Sequence, residues 1–290
     1  TSQFSPPLSA GQGNNALDFP SVLANVMFTP RQVDLMGWPY EDPISGRSVY
    51  FRSGNDIPNP RWVLNNYKTT GEVNRLFATT SVTYDLAKNF TLAYRAGLDT
   101  YTENQAYMLN KGGTAFVNGF YNTLAFQNTI WDNSVIGSYN KNLTEKFALS
   151  VKLGGNIRND QFRVEGVTSQ NQLARNLFRH NNFIDNVAFD RTEEQTRMGI
   201  FGEVTADYGN YLFLNVAARN DWTSTVEKEN RRILYPSASV SFLPMTAFQG
   251  LESNVLNYLK VRAGIGNSAG FPNPYSTRNI LNQSARGWLN

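Results

Sequence analysis

A large antiparallel β-sheet, all-β in class, is the fold these 290 residues predict. Three observations predict it. Apolar and polar residues alternate with a period of two through seven separate segments. Tight turns alternate with long polar connections. Aromatic residues reach 13% while charged ones stay at 17%. A period of two puts successive side chains on opposite faces of a strand, and strands collect aromatic residues because these pack well on a pleated surface. With 41% hydrophobic residues the chain is too apolar for disorder and too weakly charged for a nucleic-acid binder. Its formal charge of +3, from 26 basic against 23 acidic residues, is spread along the chain without a basic stripe.

Residues 1–73 read as a loop-rich segment with one short helix and an edge strand. The helix is expected over Phe19 to Phe28, with Asp18 as N-cap, Pro20 in its first turn and Thr29–Pro30 as its stop. Pro39, Pro43, Pro58 and Pro60 make the following stretch a loop. Residues 74–267 carry the strands. In 76–86, Leu76, Ala78, Thr80, Val82, Tyr84 and Leu86 oppose Phe77, Thr79, Ser81, Thr83 and Asp85. In 90–99, Phe90, Leu92, Tyr94 and Leu98 oppose Arg95, Gly97 and Asp99. Residues 147–158 set Leu149, Val151, Leu153 and Ile157 against Ser150, Lys152, Asn156 and Arg158. The pattern returns in 197–207, with Met198, Ile200 and Val204 against Arg197, Glu203 and Thr205. It continues with Leu212, Leu214 and Val216 against Asn215 and Arg219, then Leu234, Ala238, Val240 and Phe242 against Ser237, Ser239 and Ser241. The last segment sets Leu259, Val261, Ala263 and Ile265 against Lys260, Arg262 and Gly264. Further strands are expected in 59–66, 119–139 and 182–191, and residues 268–290 read as a loop.

Connections separate the two architectures that such alternation allows. Tight turns are expected at Ala87–Asn89 and Tyr208–Asn210, and a short one at Asn140–Glu145. Long polar stretches span 99–119, 159–195, 220–232 and everything after Asn267. Outer-membrane barrels join strands by short periplasmic turns and long extracellular loops, and loops beyond ~12–15 residues are uncommon in compact soluble domains. About ten alternating residues at ~3.3 Å each, tilted ~45°, span the apolar band of that membrane. A transmembrane β-barrel is therefore favoured, and a soluble β protein stays open as the rival.

Chemical motifs are few. The chain has no cysteine, which excludes disulfides and thiolate chemistry. No apolar run approaches the ~20 residues of a spanning helix. Gly264–Ile265–Gly266–Asn267–Ser268–Ala269 matches a dinucleotide fingerprint, but Gly270, Pro272 and Pro274 forbid the helix that must follow, so no cofactor is expected. The single histidine, His180, reads as a solvated loop residue, and one histidine builds neither a triad nor a zinc cluster. Asp185, Asp190, Glu193 and Glu194 lack the ligand spacing of a calcium loop and read as solvated. Asn89 and Asn142 begin Asn-x-Thr triplets that read as chance matches. Trp222 reads as a membrane-interface residue rather than a substrate-stacking one. Without a nucleophile or acid–base constellation, no enzyme is expected.

Several runs resemble the SusC/RagA family of TonB-dependent transporters of Bacteroidetes. They are Tyr208–Gly209–Asn210–Tyr211–Leu212–Phe213–Leu214, then Arg219–Asn220–Asp221–Trp222, then Tyr235–Pro236–Ser237, then Leu259–Lys260–Val261–Arg262–Ala263. Asn59–Pro60–Arg61–Trp62 and Ser81–Val82–Thr83–Tyr84–Asp85 are also similar to the family. The likeness covers about residues 59–270, weakly through 105–195. It implies an antiparallel transmembrane β-barrel segment in the outer membrane of a Gram-negative bacterium, crossing it many times. It implies TonB-dependent import of large nutrients, oligosaccharide or peptide, beneath a SusD-like surface lipoprotein. A structural or adhesive β protein without a channel is the alternative. No TonB-box-like start, plug region or closing aromatic strand is visible, so the chain reads as partial, with TonB reached through the missing N-terminal part. Within the barrel Arg95, Asp99, Lys152, Arg158, Glu203, Arg219, Lys260 and Arg262 are expected to face the lumen. Leu149, Val151, Leu153, Leu212, Leu214 and Val216 are expected to face lipid. The four longest polar stretches are expected to meet the lipoprotein and its cargo outside the cell.

Overall fold

The computed structural model describes residues 2–5, 22–51, 58–114, 116–248, 250, 256–277 and 279. Among the described residues nine strands lie side by side in sequence order. They are β1 (Ser2–Ser5), β2 (Tyr67–Ala87), β3 (Phe90–Leu109), β4 (Phe120–Asn142), β5 (Phe147–Gln172), β6 (Phe183–Tyr208), β7 (Leu212–Thr223), β8 (Arg232–Phe242) and β9 (Val261–Gly266). Each of the seven alternating segments has its strand, although the last, expected from Leu259, is strand only from Val261, and the extra strands expected in 119–139 and 182–191 are parts of β4 and β6. The β6–β7, β7–β8 and β8–β9 pairs are antiparallel, with Phe201 opposite Arg219, Arg219 opposite Tyr235 and Ser241 opposite Arg262. The expected turns form. Lys88 and Asn89 join β2 to β3. Between β6 and β7, Gly209 and Asn210 take φ of 60° and 57°. These are the left-handed conformations that a two-residue hairpin turn needs, and glycine and asparagine supply them at little cost.

Three features depart from expectation. The strands are longer than the alternation marks: β5 and β6 are 26 residues each, so the stretch 159–195 is mostly strand and only residues 173–182 connect them. Likewise β3 runs on to Leu109. Residues 59–66, expected as a strand, form a helix, α2 (Pro60–Asn66). Pro60 sits at its start, where a missing N–H costs nothing, and Asn59 caps it by accepting from the Arg61 N–H at 2.9 Å. The expected helix near residues 19–28 is present as α1 (Val22–Phe28), and Asp18 and Pro20 lie outside the described residues. A four-residue helix, α3 (Pro244–Ala247), follows β8.

Contacts divide the chain into two compact units. The first comprises Thr1–Arg75, Thr100–Asn128 and Phe162–Thr192; the second comprises Leu76–Asp99, Thr129–Gln161 and Glu193–Asn290. The first unit has a dry centre of Trp62, Val63, Tyr67, Leu109 and Phe120. The Trp62 indole is fully buried, donates to Gly46 O at 3.0 Å and meets the Tyr67 ring edge-on at 5.3 Å. Around it runs a polar network. Asn110 Nδ2 donates to Asn66 Oδ1 and Asn176 Oδ1, Gln172 Oε1 accepts from the Lys111 N–H, and Arg175 bridges Asn66 and Glu41. Buried polar groups need such partners, and the network ties the connections at 30–51, 110–119 and 173–182 together. In the second unit, Met245 alone among the described apolar residues is buried.

Candidate functional site

In the second unit the strand register sorts side chains into two faces. Pairing puts Phe201, Glu203 and Thr205 of β6 beside Arg219, Ala217 and Asn215 of β7. Those in turn stand beside Tyr235, Ser237 and Ser239 of β8, and Ser239 and Ser241 stand beside Gly264 and Arg262 of β9. Side-chain contacts extend this face to β5: Lys152 Nζ reaches Glu203 Oε1 at 3.3 Å, and Arg197 Nη2 donates to Asp160 Oδ2 at 2.8 Å. Lys260 stands over the Phe213 ring at 6.0 Å, on the same side. Arg95 and Asp99 share one face of β3 with Gly97, whose Cβ position lies 4.0 Å from Asp132 Cβ of β4. The opposite face carries Leu149, Val151 and Leu153 of β5 and Leu212, Leu214 and Val216 of β7, because both sets have the opposite parity. There Leu214 pairs with Ala206 and Val240, and Val216 with Val204 and Ala238. Trp222 lies on this apolar face, opposite Met198.

The motif runs Arg219–Trp222 and Tyr235–Ser237 meet at one residue pair and otherwise pair with each other's flanks. Arg219 stands opposite Tyr235, Ala218 opposite Pro236 and Ala217 opposite Ser237, while Arg232 Nε donates to Asn220 Oδ1 at 2.8 Å.

The polar face gathers one charged cluster. Arg158 Nε donates to Asp160 at 2.9 Å (Oδ1) and 3.1 Å (Oδ2), and Arg197 donates to the same carboxylate. Arg219 Nε lies 2.7 Å from Asp221 Oδ1, its Nη2 donates to Asn156 Oδ1 at 2.7 Å, and its guanidinium lies 5.6 Å from the Phe201 ring. Gly199 makes room beneath: a Cβ there would come within 2.3 Å of both Arg219 Nη2 and Asp221 Oδ1. Arg158, Arg197, Arg219, Asn156, Asp221 and Tyr235 line a cavity of about 240 Å³ that Ala269, Gly270 and Phe271 border. Asp160 was not among the residues singled out from sequence, although it sits two residues beyond Arg158 on the same face.

The first unit has a larger concavity, about 970 Å³, along β2 to β6, with Gln105, Leu124, Arg163, Glu165 and Phe189 among its lining residues. His180, expected as a solvated loop residue, is instead a half-buried tether. Its Nε2 lies 3.0 Å from Thr123 Oγ1, its Nδ1 lies 2.7 Å from Ser169 Oγ, and its ring stacks on Tyr121 at 4.5 Å. Burial lowers its pKa. Asp185 accepts from Asn171 Nδ2. Among the described residues no group of three His, Asp or Glu side chains is placed to hold a metal ion.

Comparisons with known proteins agree with an antiparallel β-barrel sheet. A family model described as "TonB dependent receptor-like, beta-barrel" matches residues 19–286. The solved structure titled "Structure of the RagAB peptide transporter" superposes with a TM-score of 0.68 at 15% identity, over 76% of this chain and 25% of that one. A second, of the RagAB peptide importer in the "closed-closed" state, gives 0.67 at 17% identity, over 77% and 26%. A third, in the "open-open" state, gives the same values. This chain thus spans about a quarter of the length of those solved chains. A search of curated proteins returned no match.

Proposed function

The chain belongs to the TonB dependent receptor-like β-barrel family, and on that footing we propose that it forms part of the barrel of an outer-membrane importer of large nutrients. The observation that carries this reading is the segregation of the second unit's sheet. One face holds most of the charged and small polar side chains, with Phe201, Phe213 and Tyr235 among them, and the other is mainly Leu, Ile, Val and Ala. Only a surrounding that is apolar on one side and wet on the other favours that arrangement over long strands. On this reading Arg95, Asp99, Lys152, Arg158, Glu203, Arg219, Lys260 and Arg262 line the lumen, and Leu149, Val151, Leu153, Leu212, Leu214 and Val216 contact lipid.

Strand length supports it further. Twenty-six residues at ~3.3 Å each reach roughly 85 Å, more than twice the roughly 35 Å that an apolar band ~25 Å tall requires at 45° tilt. Each long strand therefore has a portion in water. The first unit, with its buried core and polar network, suits that portion on the cell exterior, where it would meet a SusD-like lipoprotein and the cargo. Energy would come through TonB, as it does for the family. The cargo of the RagAB structures makes peptide the first cargo to try, and oligosaccharide the second.

Uptake of a labelled peptide mixture by cells carrying the complete protein is the test. Import that stops when the proton gradient is collapsed, and that fails when residues 174–178 are replaced by a short Gly-Ser linker without loss of surface assembly, supports the reading. A protein that leaves the membrane without detergent would instead be the channel-less structural or adhesive β protein.

A further inference from the structure

Three guanidinium groups, those of Arg158, Arg197 and Arg219, border one cavity in the second unit, against two carboxylates, Asp160 and Asp221. Three positive minus two negative charges leave the cluster one positive charge in excess. The bonds already made hold the guanidinium groups in place and use only part of each donor fork. The Nη groups of Arg158 and the Nη1 groups of Arg197 and Arg219 take no part in them, and Arg197 Nε is buried without a hydrogen-bond partner. The cavity, at about 240 Å³, lies below the roughly 300–1,000 Å³ of sites that enclose a whole ligand. It fits a head group. Tyr235 and Phe271 provide aromatic walls beside it.

We propose that this cleft binds the carboxylate of an acidic solute, so that the protein favours acidic over neutral members of its cargo class. A guanidinium fork matches a carboxylate with two parallel charge-assisted hydrogen bonds. Here the forks are pre-positioned by Asp160, Asn156, Asp221 and the Phe201 ring, so little side-chain freedom is lost on binding. The excess positive charge favours an incoming anion over a second cation, and the flanking carboxylates keep the site from holding it too tightly for release. The proposal rests on the reading that this face lines the lumen. The carboxylate could belong to a peptide side chain or to a sugar acid, since the recognition chemistry is the same.

The experiment is calorimetric titration of the complete protein in detergent with two matched pairs: triglutamate against triglutamine, and a galacturonate trimer against a galactose trimer. In at least one pair the acidic member should bind at least tenfold more tightly, the order expected for one charge-assisted hydrogen bond, and the pair that shows it identifies the source. Raising the salt should weaken that preference. Arg158→Gln and Arg197→Gln should each abolish most of it, Arg158→Lys should restore part, and Lys152→Gln, on the same face but outside the cavity, should leave it intact. If a glutamine variant does not assemble, the salt series and the lysine variant still decide. No preference in either pair, or a preference that survives both glutamine variants, overturns the proposal. Uptake by cells, measured separately, separates it from the transport reading: binding without uptake breaks transport alone, and uptake without acid preference breaks this site alone.

Discussion

Trp62 and Leu214 are both large apolar side chains, yet Trp62 is fully buried while Leu214 is 49% exposed. The contrast extends to the units that hold them. Among the described residues, seven buried hydrophobic side chains (Trp62, Val63, Tyr67, Leu109, Phe120, Val164 and Phe183) belong to the first unit and only Met245 to the second. In the second unit the apolar face stays open, with Leu153 at 65% exposure, Ile200 at 61% and Ile265 at 80%. Soluble monomers rarely leave contiguous apolar surface beyond a few hundred Å². The first unit thus gathers part of its apolar side chains into a core of its own, although Ile44 at 96%, Met36 at 78% and Ile184 at 67% stay exposed there too, whereas the second unit leaves the apolar face of its sheet uncovered. The same strands serve both, so the difference lies in the side chains and in the loops that fold over the first unit.

The largest effect should come from the buried core. Trp62→Ala removes a fully buried indole and its hydrogen bond to Gly46 O, and should cost ~3–5 kcal/mol. Hydrogen exchange at α2 and residues 110–119 should rise strongly while the β7–β8 pair stays protected. A change that loosens β7–β8 equally would show that the two units do not draw their stability from separate sources.

Next comes the open face. Leu214→Arg should destabilise assembly by ~2–4 kcal/mol if that face meets the bilayer, whereas Ser150→Arg, on the polar face, should cost far less. Folding into vesicles, followed by heat-modifiable gel migration, compares them. Equal costs would abolish the distinction between the faces.

These two substitutions also mark what the sequence makes legible. Where the two faces of a strand differ in polarity, alternation is strict, and the second unit's segments 147–158, 197–207 and 211–219 are readable from it. In the first unit both faces of the strands meet water or a local core. A run such as Thr168–Ser169–Gln170–Asn171–Gln172 therefore carries no period and reads as loop, although it is strand. Helix α2 was hidden for a different reason. Trp62, Val63 and Leu64 look like a strand's apolar run, and only the Asn59–Pro60 start signals a helix. The arginine cluster was half legible: parity put Arg158, Arg197 and Arg219 on the polar faces of their strands, but only strand register brings them together with Asp160.

A smaller effect is expected on the polar face. The Lys152–Glu203 pair, 3.3 Å apart with side chains 48% and 37% exposed, is screened by solvent. Lys152→Gln should cost ~0.2–1 kcal/mol, less at high salt. A larger loss in a denaturation midpoint would mean that this pair is covered in the complete protein.

The weakest and most local effect should follow pH. The Asn186 side chain donates from Nδ2 to Phe183 O at 3.2 Å, which turns its Oδ1 toward Ser169, and the Ser169 hydroxyl donates there at 2.5 Å. Ser169 Oγ must then accept from His180 Nδ1–H, while Nε2 lies 3.0 Å from the Thr123 hydroxyl, which can donate to it or accept from it. Burial in the folded chain disfavours the charged imidazolium and lowers the His180 pKa below the ordinary value of about 6.5. Between the folded and unfolded pKa values the unfolded segment binds more protons, so stability rises with pH across that window. The contribution is complete above about 6.5 and is lost as pH falls toward the folded value. Hydrogen exchange in residues 173–183 should therefore quicken, after correction for intrinsic rates, between pH 7.5 and pH 5. In His180→Gln the two profiles should coincide, since glutamine does not titrate. Because this tether belongs to the first unit, exchange in β7 and β8 should stay unchanged in both proteins, and a pH response there that His180→Gln removes would show that the histidine acts beyond its own unit.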